Sequence, residues 1–86
     1  METRVVFRKV KNPYTGDWEI IAFFPDFRTS LGRIICYEHV GQHGEADIHF
    51  YKYDTKKATP EEYAELYTEL TELVGYDLKV MQRLIY

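Results

Sequence analysis

The sequence predicts a two-layer α+β fold: a twisted, mainly antiparallel sheet of four to five strands with one helix in the C-terminal half, in the order β-β-β-β-α-β. Three observations carry this. Short apolar segments recur between turn-forming residues along the first two-thirds of the 86-residue chain, the pattern of strands joined by short loops. A single segment near residue 60 switches to helical spacing. A final segment returns to alternation with a period of two. One helix with one apolar stripe needs a sheet to cover, and a chain this short makes one domain, residues 1–86.

The first strand is expected over 3–10, rich in Val and Phe. A turn follows at 12–17, where Asn12, Pro13, Gly16 and Asp17 each favour a bend for a different reason. The second strand, 18–24, is apolar on both faces from Ile20 to Phe24, which suits a central strand. Pro25 is read as its end and 26–32 as a loop. A third strand is expected over 34–40, a loop over 41–47, a fourth short strand over 48–53 and a polar connector over 54–58. The helix is expected over 60–74. Thr59 is placed to cap it, Pro60 occupies the first helical position, and Glu62, three residues after Thr59, completes a capping box. Tyr63, Leu66, Tyr67, Leu70, Leu73 and Val74 form its stripe, and Gly75 is placed to stop it in a left-handed conformation. In the last strand Tyr76, Leu78, Val80, Gln82, Leu84 and Tyr86 point one way and Asp77, Lys79, Met81, Arg83 and Ile85 the other.

Composition narrows the function. The apolar set is 45% and charged residues 29%, the mix of a folded globular chain rather than a disordered one. The longest strongly apolar run, Ile20 to Phe24, falls far short of the roughly 20 residues a membrane helix needs. The N-terminal segment lacks the apolar stretch of a signal peptide. A single cysteine, Cys36, forms no internal disulfide. A cytoplasmic protein is expected. Residues 1–58 hold nine basic and eight acidic residues, net +1, while 59–86 hold two and six, net −4. Duplex DNA binding calls for a basic excess that is absent.

Reactive side chains cluster in one place. All three histidines fall between His39 and His49, and His39, Gln42, His43, Glu45 and Asp47 share a run with Gly41 and Gly44. Imidazoles and carboxylates are the ligands of a zinc-like site, with His39, His43 and Asp47 or Glu45 as the set. Backbone N–H groups at 41–44 also suit a phosphate nest. The reading the sequence favours is a hairpin loop whose glycines take positive φ and whose polar side chains bond the backbone. No P-loop, zincin or nucleophile motif is matched. Cys36, between Ile35 and Tyr37, reads as a small buried apolar residue. Arg28, Arg33 and Lys52 with Phe27, Tyr37, Tyr51 and Tyr53 would make a stacking platform for single-stranded nucleic acid. The lack of cation dominance and of any ribonucleoprotein motif disfavours it.

The run His39-Val40-Gly41-Gln42-His43-Gly44-Glu45-Ala46-Asp47, with Cys36-Tyr37-Glu38 before it, resembles the central motif of a small family of bacterial and bacteriophage proteins of unknown function. The segments 58–64 and 75–80 resemble that family's C-terminal half, and 6–9 and 21–25 its N-terminal half. The turn around 14–18 and the segment 47–53 depart from the pattern. The resemblance implies a bacterial or phage origin and no activity. One helix does not cover both faces of such a sheet, so the second face is expected to be polar or to meet something. The expectation is therefore a small non-enzymatic binding, adaptor or regulatory protein that meets a protein partner or a second copy of itself through its sheet face or edge. The alternative is a metal- or phosphate-binding enzyme or sensor centred on 39–47.

Overall fold

The computed structural model describes residues 2–29, 32–38 and 42–82, with 38, 42 and 43 as backbone. The α+β architecture is as the sequence predicts, with more strands. β1 (Glu2–Lys11), β2 (Trp18–Arg28), β3 (Ile34–Glu38), β4 (Gln42–Ala46), β5 (Lys56–Lys57) and β6 (Asp77–Met81) form one sheet, with α1 (Pro60–Thr68) between the last two. The sheet order is β4-β3-β2-β1-β5, and β6 pairs with β1 beside β5. All pairings are antiparallel except β1 with β6, which are parallel from Glu2↔Asp77 to Val6↔Met81. The parallel pairing follows from α1, which carries the chain across the sheet before β6 returns.

The turn after β1 is built as its residues dictate. Asn12 Oδ1 accepts N–H bonds from Tyr14 and Thr15, and Gly16, at φ 77°, donates to the Asn12 carbonyl. β2 differs from expectation: Pro25 does not end it, and the strand runs on to Arg28. The proline falls where the β2–β3 register shifts, between Phe24 and Arg28, so its missing N–H costs no ladder bond. Of the segment 26–32 expected as a loop, residues 26–28 are therefore strand, and 30 and 31 lie outside the described residues. β3 is described from Ile34 to Glu38; residues 39 and 40 lie outside the described residues.

Two further corrections change the architecture. The segment 41–47 is not a loop: Gln42–Ala46 is a strand paired in unbroken register with β3. The segment 48–53 is not a strand. Ile48 and His49 are helical and Phe50–Asp54 continues as a π-type turn. Its alternation of apolar and polar residues imitates a strand, but Asp47 Oδ1 accepts the Phe50 N–H at 2.7 Å and starts a helical turn instead. The connector 54–58 contains β5.

α1 has the predicted cap. Thr59 Oγ1 accepts the Glu62 N–H and Glu62 returns a bond to the Thr59 N–H. The helix continues as a π-type segment, Glu69–Val74, and stops at Gly75 with φ 93°. The widening explains why the stripe loses Leu73. Leu66 and Leu70 are fully buried, but Leu73 is 82% exposed and Val74 42%. With more residues per turn, a residue three positions after Leu70 swings away from the sheet.

The core has two halves, one on each face. On the α1 face, Val5, Phe7, Ala22, Phe24 and Tyr37 pack with Ala58, Leu66 and Leu70, and Leu78 and Val80 join from β6. On the other face Val6, Ile21, Phe23, Ile34, Cys36 and Ala46 pack with Tyr51, beside Ile48 and Phe50 of the helical turn. The second face thus meets the protein's own chain. No helix among the described residues is long and apolar enough to cross a membrane.

Candidate functional site

The histidine-bearing run is mostly strand. Backbone pairing sets Gln42 opposite Glu38, His43 opposite Tyr37, Gly44 opposite Cys36 and Glu45 opposite Ile35. His39 lies outside the described residues. Of the five candidate ligands, Glu45 and Asp47 have described side chains, both exposed. Asp47 is committed to the Phe50 N–H and its carbonyl to the Tyr51 N–H. His49 is exposed with its ring 4.7 Å from that of Tyr53. Among the described residues no three His, Cys, Asp or Glu side chains come together to hold a metal ion. Gly44 does not take positive φ, which among the described glycines belongs to Gly16, Gly32 and Gly75. A Cβ at Gly44 would sit in ordinary contact with Cys36 Sγ, at 3.7 Å. Cys36 is buried in the core, as the sequence suggests.

The aromatic platform for single-stranded nucleic acid is not assembled. Tyr37 and Tyr51 are buried, on opposite faces of the sheet. Tyr37 donates its hydroxyl hydrogen to Glu69 Oε2, and the ring of Tyr51 lies under the Arg8 guanidinium at 4.6 Å. The exposed cation–aromatic cluster is elsewhere. Lys9 and Lys56 approach the Trp18 ring at 5.0 and 5.6 Å, and Lys9 also binds Glu62 Oε2 at 2.7 Å. That bond and the Thr59 N–H hold the Glu62 carboxyl below the usual carboxylate range. The β1–β2 turn predicts this cluster once Lys11 is set opposite Trp18, since Lys9 then shares a face with Trp18. At the far end Arg4 and Asp26 form an exposed ion pair, which raises the arginine and lowers the carboxyl.

With both faces covered, the backbone groups left open are those of the sheet edges. Among the described residues β4 is the last strand on one side, and β6 and β5 flank β1 on the other. β4 has neither proline nor lysine, and its ladder to β3 has no bulge; the exposed Glu45 is its one charge among the described side chains. β6 turns Leu78 and Val80 to the core and leaves Asp77 and Lys79 exposed. The sequence points to an open sheet edge without saying which strands form it, and the reading of 41–47 as a loop hides β4. No family model matches this chain, and neither does a curated protein or a solved structure.

Proposed function

We propose that this chain is a small non-enzymatic binding or adaptor protein that engages a protein partner, or a second copy of itself, through the edges of its sheet. The observation that supports this is the double cover. α1 and the turn 48–54 bury the central apolar residues of both faces, with Trp18 and Phe27 of β2 left exposed. Among the described residues that leaves the outward N–H and C=O groups of β4 and β6 as a surface with unused bonding capacity. A partner strand adding there gains main-chain hydrogen bonds, and alternate side chains set its specificity. The face itself, the other half of the expectation, is occupied by the chain's own residues.

The test is hydrogen exchange on the chain alone and bound to a partner enriched from cell extract. The outward amides of β4 or β6 should exchange rapidly in the free chain and slow in the complex. Protection confined to the outer surfaces of α1 and the turn 48–54 sinks the reading.

A further inference from the structure

We infer that β6 is the edge at which two copies of this chain join, antiparallel and about a two-fold axis at Leu78, so that the sheet runs through both. The inference rests on the edge reading above and names the partner. Its basis is the self-complementarity of one five-residue strand. Asp77 and Lys79 are both exposed on β6, and among the described residues neither forms an ion pair. Leu78 between them points to the α1 face with Val80.

A two-fold axis normal to a sheet makes two copies of an edge strand antiparallel and keeps like faces together. Because side chains alternate, the axis must then pass through a residue rather than between two. Centred on Lys79 it opposes lysine to lysine, and centred on Asp77 it opposes aspartate to aspartate, both unfavourable. Centred on Leu78 it sets Asp77 opposite Lys79 of the second copy, twice, on one face. On the other face it sets Tyr76 opposite Val80, also twice. The charge that would blunt this edge against other strands is thereby neutralised by the same strand.

The experiment is sedimentation of the whole chain up to about 1 mM, the range in which weak dimers appear, with three variants: Asp77→Lys, Lys79→Asp and the double exchange D77K/K79D. The wild type should dimerise. Each single exchange places two like-charge pairs across the axis and should weaken the dimer on the order of tenfold or more. The double exchange restores opposite charges and should restore association. Circular dichroism confirms that each variant is folded. Should a single exchange fail to fold, Asp77→Cys and Lys79→Cys variants, mixed under mild oxidation, serve instead. The mixed disulfide should exceed either homodisulfide. A wild-type monomer at every concentration, a dimer indifferent to the single exchanges, or a double exchange as weak as the singles overturns the inference. A monomer leaves the edge reading to its own hydrogen-exchange test.

Discussion

The two faces of the sheet bury similar residues under very different covers. On one, α1 and its continuation lay Leu66 and Leu70 over Phe7, Ala22 and Phe24. Both helix ends are defined, by the Thr59–Glu62 box and by Gly75. On the other, a turn of seven residues lays Tyr51 edge-on over Phe23, with ring centres 5.3 Å apart. So short a helix does not stand by propensity, because nucleation costs more than a turn or two returns. Side chains from outside hold it. Arg8 reaches from β1 to donate to Thr55 Oγ1 at 3.0 Å and to the Thr55 carbonyl at 2.8 Å. The Thr55 hydroxyl in turn donates to the Tyr51 carbonyl at 2.6 Å. A long helix is thus fixed by its own sequence and a short one by its tertiary contacts.

The sharpest way to break this comparison is to remove one aromatic ring per face. Phe23 and Phe24 are neighbours, both fully buried, pointing to opposite sides. Phe23→Ala and Phe24→Ala should each cost about 3–5 kcal/mol of unfolding free energy, read from urea denaturation. Equal losses mean that the short turn closes a true core. A loss under about 1 kcal/mol for Phe23→Ala would mean that the second cover does not exclude water.

This difference also decides what is legible in the sequence. The helix was, because Thr59, Pro60, Glu62 and Gly75 are local signals and its stripe repeats for three turns. The turn 48–54 was not, since Ile48, Phe50 and Lys52 alternate with His49, Tyr51 and Tyr53 as a strand would. One signal was available: Asp47 as a cap, which the metal reading had claimed as a ligand. The parallel partner of β6 and the position of β4 depend on contacts between segments far apart in the chain. Periodicity is silent about those. In the candidate site, the sequence grouped the polar residues of 39–47 by proximity along the chain, whereas the end of β4 divides them: Glu45 stays on the strand, and Asp47 lies past it and caps the turn 48–54.

The next test acts on the short cover alone. Arg8→Ala removes a charged donor to a backbone carbonyl and the cation over Tyr51. A loss of about 2 kcal/mol is expected. Amides of 50–54 should exchange faster while those of 62–70 keep their protection, relative to global stability. Uniform acceleration would show that the turn has no separate dependence on Arg8.

Smaller effects separate the two caps. Thr59→Ala and Asp47→Ala each remove one side-chain acceptor from a helix N-terminus and should cost about 1 kcal/mol. Thr59→Ala should fray only the first turn of α1, because its stripe still packs. Asp47→Ala should loosen the whole turn from 48 to 54, visible as a changed environment for Tyr51 in near-ultraviolet circular dichroism. If both variants fray only one turn, the short cover is more autonomous than its length suggests.

The smallest expected effect is a pH dependence confined to the α1 face. Lys9 first, and then the Thr59 N–H, hold the Glu62 carboxyl below its ordinary range. A carboxyl lowered by folding contributes stability that is complete above its unfolded value and is lost as pH falls through its folded value. The group is exposed, so the effect is small and weakened by salt. Carbon-detected titration should show the Glu62 carboxyl titrating below the ordinary glutamate range, with the Thr59 amide following it. In Lys9→Met the Glu62 titration should move up towards that range, and most of the pH dependence of α1 end-fraying should go with it. The turn 48–54 should not respond to that substitution. A Glu62 titration within the ordinary glutamate range in the wild type would remove the link from β1 to the capping box, leaving the α1 cover held by its stripe and its caps alone.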